Sequence, residues 1–282
     1  MEIFRTAAEL QQFSLAAKCS GKIIGLVPTM GFLHAGHASL IDIARKKADI
    51  VIVSIFVNPT QFAPTEDLDR YPRDFDHDVE LCSAHGADVI YAPETDAMYE
   101  PDASTWVEEV KLSKVLCGVS RPIHFRGVTT VVAKLFNLTL PDVAVFGEKD
   151  AQQLLVIKRM VRDLNFPVEI IAAPLVRQND GLALSSRNRY LSDDEKARAL
   201  VLSQSLYAAR GAIESHGLDG VDIIIEAMKE KITAAGGRVD YIEALDTANL
   251  EPPSAETREI LLALAVFFGT TRLIDNQIIQ VK

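Results

Sequence analysis

Ile50-Val51-Ile52-Val53-Ser54-Ile55-Phe56-Val57 is a near-continuous apolar run of strand length, stopped by Asn58-Pro59. It does not alternate apolar with polar residues, so neither of its faces suits water. Such a run reads as a strand buried on both faces, the condition of a parallel sheet. Upstream, Ile23 to Val27 is a second β-rich run that breaks at Pro28, and a helical pattern follows from Gly36 to Lys47. Downstream, helical stretches at Asp74 to His85, Val128 to Leu138 and Asp150 to Asp163 alternate with strands at Val89 to Tyr91, Val143 to Phe146 and Val168 to Ala172. This alternation predicts an α/β fold, a Rossmann-like parallel sheet with helices on both faces. Ligands of such sheets sit at the carboxyl ends of the strands.

The pattern changes near Pro174 to Gly181. Two helical stretches, Asp193 to Glu214 and Val221 to Ala235, precede strand-like runs at Val239 to Ala244, Ile260 to Phe268 and Arg272 to Ile274. Helices followed by strands predict a smaller C-terminal α+β domain. The expected division is 1–175 and 176–282.

Composition narrows the function. The 282 residues are 48% hydrophobic, too many for a disordered chain, and the formal net charge is −10. An acidic chain is a poor nucleic-acid partner, because that role needs a basic surface to replace phosphate counterions. No run reaches the ~20 apolar residues of a membrane span. The start carries Glu2 and Glu9 without an apolar segment, so no signal peptide is expected. Cys19, Cys82 and Cys117 form no C-x-x-C pair, which fits a reducing compartment and a cytoplasmic location. Neither G-x-x-x-x-G-K-[ST] nor G-x-G-x-x-G is present, which argues against a P-loop NTPase and an ordinary dinucleotide dehydrogenase.

Four stretches carry candidate chemistry. In Pro28-Thr29-Met30-Gly31-Phe32-Leu33-His34-Ala35-Gly36-His37, a buried strand meets a helix. Gly31 permits positive φ, Gly36 leaves room at the helix start, and the helix N-terminus favours an anion. His34 and His37 share a face if both lie on the first turn, where two imidazoles could donate to a phosphate. Leu182-Ala183-Leu184-Ser185-Ser186-Arg187-Asn188 follows a turn signal at the domain junction, where clefts often form. Its two hydroxyls and guanidinium suit phosphate oxygens. In Phe146-Gly147-Glu148-Lys149-Asp150-Ala151-Gln152-Gln153, Lys149 suits phosphate and Asp150 ribose hydroxyls, although a charged helix start explains the same residues. Phe56-Val57-Asn58-Pro59-Thr60-Gln61-Phe62 leaves the long strand, and its amides Asn58 and Gln61 suit a small polar substrate, although an Asn-Pro turn explains them too. Asp67, Asp69, Asp74, Asp76 and Asp78 could supply the one or two oxygens that Mg²⁺ needs when ATP phosphates provide the rest.

H-x-G-H after a strand resembles the nucleotidyltransferase superfamily, and Leu184-Ser185-Ser186-Arg187 looks like its late phosphate loop with arginine in place of lysine. All four stretches, in this order and spacing, resemble the pantothenate synthetase family over nearly the whole chain. The resemblance implies a ligase that joins pantoate to β-alanine with ATP, and a homodimer with a lid-like second domain. By it, Met30, Gly31, Phe32, Leu33, His34, Ala35, Gly36 and His37 wrap ATP. Gly147, Glu148, Lys149 and Asp150 hold ribose and phosphate, and Val176 and Leu184 approach adenine through backbone atoms. Ser185, Ser186 and Arg187 clamp phosphate, and His37, His34, Lys149 and Arg187 are the catalytic donors. Gln61, Gln153 and Asn58 bind substrate. Some members carry consecutive acids after a Tyr-Pro-Arg element. Here Tyr71-Pro72-Arg73 is followed by Asp76-His77-Asp78, so His77 interrupts the pair and the choice of acid stays open, with Asp78 named as the expected metal contact. The alternatives are a related adenylyl- or cytidylyltransferase, which would release a nucleotide-linked product, and a nucleotide-binding regulatory module without catalysis.

Overall fold

A computed structural model describes residues 1–64 and 66–281. The chain forms two compact units, one of Met1–Ser113, Gly118–Glu148 and Gln153–Pro174, the other of Lys114–Cys117, Lys149–Gln152 and Leu175–Lys282. Through residue 174 the elements are β1 (Glu2–Phe4), α1 (Ala7–Cys19), β2 (Ile24–Thr29), α2 (Ala35–Arg45), β3 (Ile50–Ile55), α3 (Phe75–Ala84) and β4 (Val89–Tyr91). They continue with α4 (Thr95–Met98), α5 (Cys117–Ser120), α6 (His124–Thr139), β5 (Val143–Gly147), α7 (Ala151–Leu164) and β6 (Glu169–Ala173).

The six strands form one sheet in the order β1-β4-β3-β2-β5-β6, with every neighbouring pair parallel. Alternate residues of the inner strands face opposite helix layers. Leu26, Ile52, Tyr91 and Phe146 pack into the core that holds α1 and α6. Val27, Val53, Ile90 and Val145 pack into the core that holds Leu40 and Ile41 of α2 and Cys82 of α3. This double burial is why the β3 run lacks alternation. The chain builds outward from β2 to β3 and β4, then returns to the other side of β2 to lay down β5 and β6. The reversal between β2 and β5 is a topological switch point, where the strand ends open a crevice.

β2 does not break at Pro28. It continues to Thr29, and Pro28 is paired in register with Ser54 of β3. On its other side β2 pairs with β5 only at Gly25 and Leu26. Pro28 therefore falls where the strand keeps one ladder, and its missing N–H interrupts none on the open side.

Helix α6 carries Gly127 in its interior, where glycine costs about 1 kcal/mol relative to alanine. A Cβ at Gly127 would lie 2.6 Å from the Thr60 carbonyl carbon and 2.7 Å from the Gln61 nitrogen. Close approach of the 58–61 turn therefore overrides helix propensity. Gly127→Ala is expected to lose about 1–3 kcal/mol by overpacking rather than gain helix stability. A thermal melt showing equal or higher stability would remove this account.

In the second unit, residues 176–184 form a hairpin in which Leu184 N–H donates to the Val176 carbonyl at 3.0 Å and Gln178 N–H to the Leu182 carbonyl at 2.8 Å. Then come α8 (Asp193–Ala199), α9 (Val201–His216), α10 (Val221–Ala234), β7 (Arg238–Asp246), β8 (Glu259–Phe268) and β9 (Thr271–Gln280). The three strands make an antiparallel sheet, β7-β8-β9, packed with the helices around Leu202, Leu206, Ile232, Leu262 and Leu264. The single helix expected over 193–214 is two, α8 and α9, which meet at Leu200.

Candidate active site

The carboxyl end of β2 turns sharply through two left-handed residues, Gly31 at φ 79° and Phe32 at φ 50°. A Cβ at Gly31 would meet both Asp78 Oδ2 and Ile55 Cγ2 at 3.0 Å, so the turn requires glycine for space as well as for φ. Phe32 has a Cβ and holds the left-handed conformation at a cost of roughly 1–2 kcal/mol. Asp78, 1% exposed on α3, supplies the restraint. Its Oδ2 accepts from Phe32 N–H at 2.9 Å and its Oδ1 from Leu33 N–H at 2.6 Å. Burial pushes the Asp78 carboxyl above its ordinary value, opposed by these two amide bonds. His77 joins the clasp, its Nε2 donating to the Leu33 carbonyl at 3.2 Å.

The restrained turn delivers His34 as the N-cap of α2 and His37 three residues into it. Each imidazole Nδ1 caps the helix: His34 Nδ1 accepts from Gly36 N–H at 3.1 Å, and His37 Nδ1 accepts from His34 N–H at 3.3 Å. This is a capping box built from two histidines in place of the usual Ser or Thr and Glu. An Nδ1 that accepts leaves Nε2–H as the donor of each neutral ring. The ring centroids are 4.1 Å apart, so the two imidazoles expected to share a face are in contact. The first turn of α2 carries no acidic residue, unlike those of α1, α3 and α8. Its positive end thus keeps its affinity for an anion.

Beyond β3, Asn58 and Gln61 are 1% and 7% exposed. Asn58 Nδ2 donates to Gln61 Oε1 at 3.1 Å and to the Gly127 carbonyl at 3.2 Å, while Gln61 Nε2 donates to Met30 Sδ at 3.1 Å. Gln61 is thereby tied to the loop that carries the histidines. Asn58 spends its amide on protein groups and serves as a support for Gln61. Gln153, on α7, is partly exposed, whereas its neighbour Gln152 is buried and bonded to the Val115 carbonyl and Cys117 N–H.

Gly147 ends β5, and Glu148, Lys149 and Asp150 form a single 3-10 turn after it. Lys149 Nζ lies 3.7 Å from Asp150 Oδ2, and the Lys149 carbonyl accepts from Asn276 Nδ2 at 3.0 Å. In the hairpin of the second unit, Val176 and Leu184 are bonded to each other as described. Ser185 Oγ caps the following turn by accepting from Arg187 N–H at 3.2 Å, Ser186 is nearly buried, and Asn188 Nδ2 fastens the loop to the Ala183 carbonyl at 2.9 Å. Arg177 pairs bidentately with Asp275 at 2.6 and 2.8 Å and braces the hairpin turn through the Gly181 carbonyl.

Sequence reasoning passed over Gly127, Thr60, Tyr99 and the clasping role of His77. Gly127 lies one residue before the helix expected from Val128, and only the fold, in which α6 starts at His124, places it inside the helix; the others are set by tertiary contact. For magnesium, no group of three His, Cys, Asp or Glu able to hold a metal occurs among the described residues. Asp78 fits a metal ligand poorly, because both its oxygens are engaged beneath the loop.

A doubly wound sheet whose first crossover helix opens on paired H-x-G-H imidazoles sets two ring donors at an anion-favouring helix N-terminus. The sequence model described as pantoate-beta-alanine ligase matches residues 2–278. The chain belongs to that ligase family, and it is an enzyme of that kind. It is 51% identical to a pantothenate synthetase of Moorella thermoacetica, with 100% of each chain covered. It is 52% identical to one of Geobacter sulfurreducens, with 98% of each covered. Among solved structures it is similar to pantothenate synthetase from Thermus thermophilus, at TM-score 0.89 and 42% identity, covering 98% of this chain and 99% of the other. The Francisella tularensis pantoate-beta-alanine ligase, complexed with beta-gamma ATP and beta-alanine, matches at TM-score 0.82 and 34% identity, with 98% and 97% covered.

Proposed function

We propose that the chain condenses pantoate with β-alanine at the expense of ATP, through a pantoyl-adenylate, releasing pyrophosphate and then AMP. The observation that carries this reading is the pair of imidazoles capping α2 with Nε2–H as their donors. A pantoate carboxylate oxygen attacks the α-phosphorus, and the bond from that phosphorus to the bridging oxygen of pyrophosphate breaks. The β-alanine amine then attacks the acyl carbon of the mixed anhydride, the amide bond forms and AMP departs. Neither step needs a covalent protein nucleophile, so positioning and charge stabilisation dominate. His34 and His37 donate to the phosphate oxygens as negative charge builds there.

Gln61 and Gln153 are assigned to pantoate, with Gln61 also near β-alanine. Lys149, Ser185, Ser186 and Arg187 are assigned to phosphate by the family resemblance. A magnesium ion arriving with ATP would neutralise phosphate charge and draw most of its ligands from the phosphates. The anhydride hydrolyses readily, so the lid role expected for residues 176–282 belongs to the same proposal. A cytoplasmic homodimer is likewise proposed, on family resemblance.

Pantoate-dependent exchange of labelled pyrophosphate into ATP tests substrate, reaction and intermediate together. Exchange without β-alanine is the expected result; ATP binding with no exchange would leave only a nucleotide-binding module. Gln153→Ala is expected to raise the pantoate KM about tenfold or more, as for loss of a hydrogen bond to a charged group. Little change in the ATP KM is expected, and equal weakening of both would withdraw the assignment.

A further inference from the structure

We infer that Tyr99 is a positioning residue for substrate recognition, acting through Asn58 to fix which end of the Gln61 amide meets the substrate. This inference rests on the assignment of Gln61 to pantoate. Tyr99 directly follows the short helix α4 and lies far from Asn58 in sequence, yet its hydroxyl donates to Asn58 Oδ1 at 2.9 Å. Thr60 Oγ1 donates to the same oxygen at 2.9 Å. Asn58 Nδ2 faces the Gly127 carbonyl at 3.2 Å, an obligate acceptor that forbids an amide flip. With Asn58 so oriented, its second N–H reaches Gln61 Oε1, and Gln61 must turn Nε2 toward Met30 Sδ, also an acceptor.

Five groups thus settle one question of identity: Gln61 presents Nε2–H as its donor edge, and the carbonyl edge is held by protein. A donor suits a carboxylate or hydroxyl oxygen, the chemistry pantoate offers. Without the hydroxyls of Tyr99 and Thr60, Asn58 Oδ1 loses its side-chain donors and the relay loosens. Burial raises the Tyr99 phenol above its ordinary value, so it remains protonated and able to donate. The ring is held separately, by Phe56 at 6.3 Å between centroids and by Lys134 Nζ 5.6 Å from the ring centre. Neither contact uses the hydroxyl, so Tyr99→Phe deletes the donor and retains the packing.

The experiment is steady-state kinetics of the full chain for wild type, Y99F, T60V, T60S and the double variant Y99F/T60V, with a thermal melt of each. Y99F is expected to raise the pantoate KM about tenfold, which corresponds to ~1.4 kcal/mol, with the ATP KM and melting temperature nearly unchanged. T60V is expected to act in the same direction, T60S to restore wild-type behaviour, and the double variant to exceed either single change. An unchanged pantoate KM in Y99F overturns the inference. So does a parallel rise in the pantoate and ATP constants, which would mark general damage. A wild-type chain that shows no pantoate-dependent exchange strikes the functional reading itself, a different outcome from an active wild type indifferent to Tyr99.

Discussion

His37→Ala is expected to lower pantoate-dependent pyrophosphate exchange by about 10²-fold or more, the usual consequence of removing one preorganised transition-state donor. The substitution also removes the Nδ1 that accepts from His34 N–H. Loss of a cap costs about 0.5–2 kcal/mol of stability, whereas a 10²-fold rate loss is worth roughly 2.7 kcal/mol of barrier. The two effects separate by measurement. A melt reports the cap, and kcat at saturating ATP reports the donor. We expect kcat to fall far more than the ATP KM rises. Exchange within a few-fold of wild type in a folded His37→Ala enzyme would take His37 out of charge stabilisation and leave it as a helix cap.

Asp78→Asn is expected to damage the same loop from below. The carboxylate meets two backbone N–H groups with two oxygens. An amide offers one oxygen and one NH₂, so either Phe32 or Leu33 N–H faces a donor and is left unsatisfied. An orphaned buried N–H costs about 1–3 kcal/mol. Removing a buried charge recovers part of this, since burial already disfavours the ionised form. Phe32, however, loses what holds it at positive φ. We therefore expect modest loss of melting temperature, about 2–4 °C per kcal/mol in domains of 150–250 residues, with a larger rise in the ATP KM, tenfold or more by the loss of roughly 1.4 kcal/mol of preorganisation. Wild-type ATP affinity in Asp78→Asn would show that the turn holds its shape without the carboxylate.

The parallel sheet was legible because β3 and its neighbours are apolar on both faces, and a strand-length run of that kind is stable only when covered on both sides. The edge strand β1 and helix α1 were missed, although Thr6 and Glu9 form an ordinary capping box. β9 reads as three residues in the sequence but runs for ten. Asp275 and Asn276 interrupt its apolar pattern, and they are tolerated because Arg177 neutralises Asp275 and Asn276 reaches the Lys149 carbonyl. Those partners are distant in sequence, so no local rule reveals them. The histidines stood out by spacing, but their capping role did not, because His is not among the usual N-cap residues. Asp78 shows the converse: a carboxylate at an acidic helix start invites a metal assignment, and only the fold reveals that backbone amides occupy both oxygens.

The double employment of His34 sets a trap for protein engineering. Asp, Ser or Asn at position 34 would cap α2 at least as well as an imidazole, and selection for heat resistance alone would favour them. Each would also discard the Nε2–H that we propose meets the phosphate. Directed evolution under a thermal screen, with turnover unmonitored, would on that proposal drift toward a sturdier but slower catalyst.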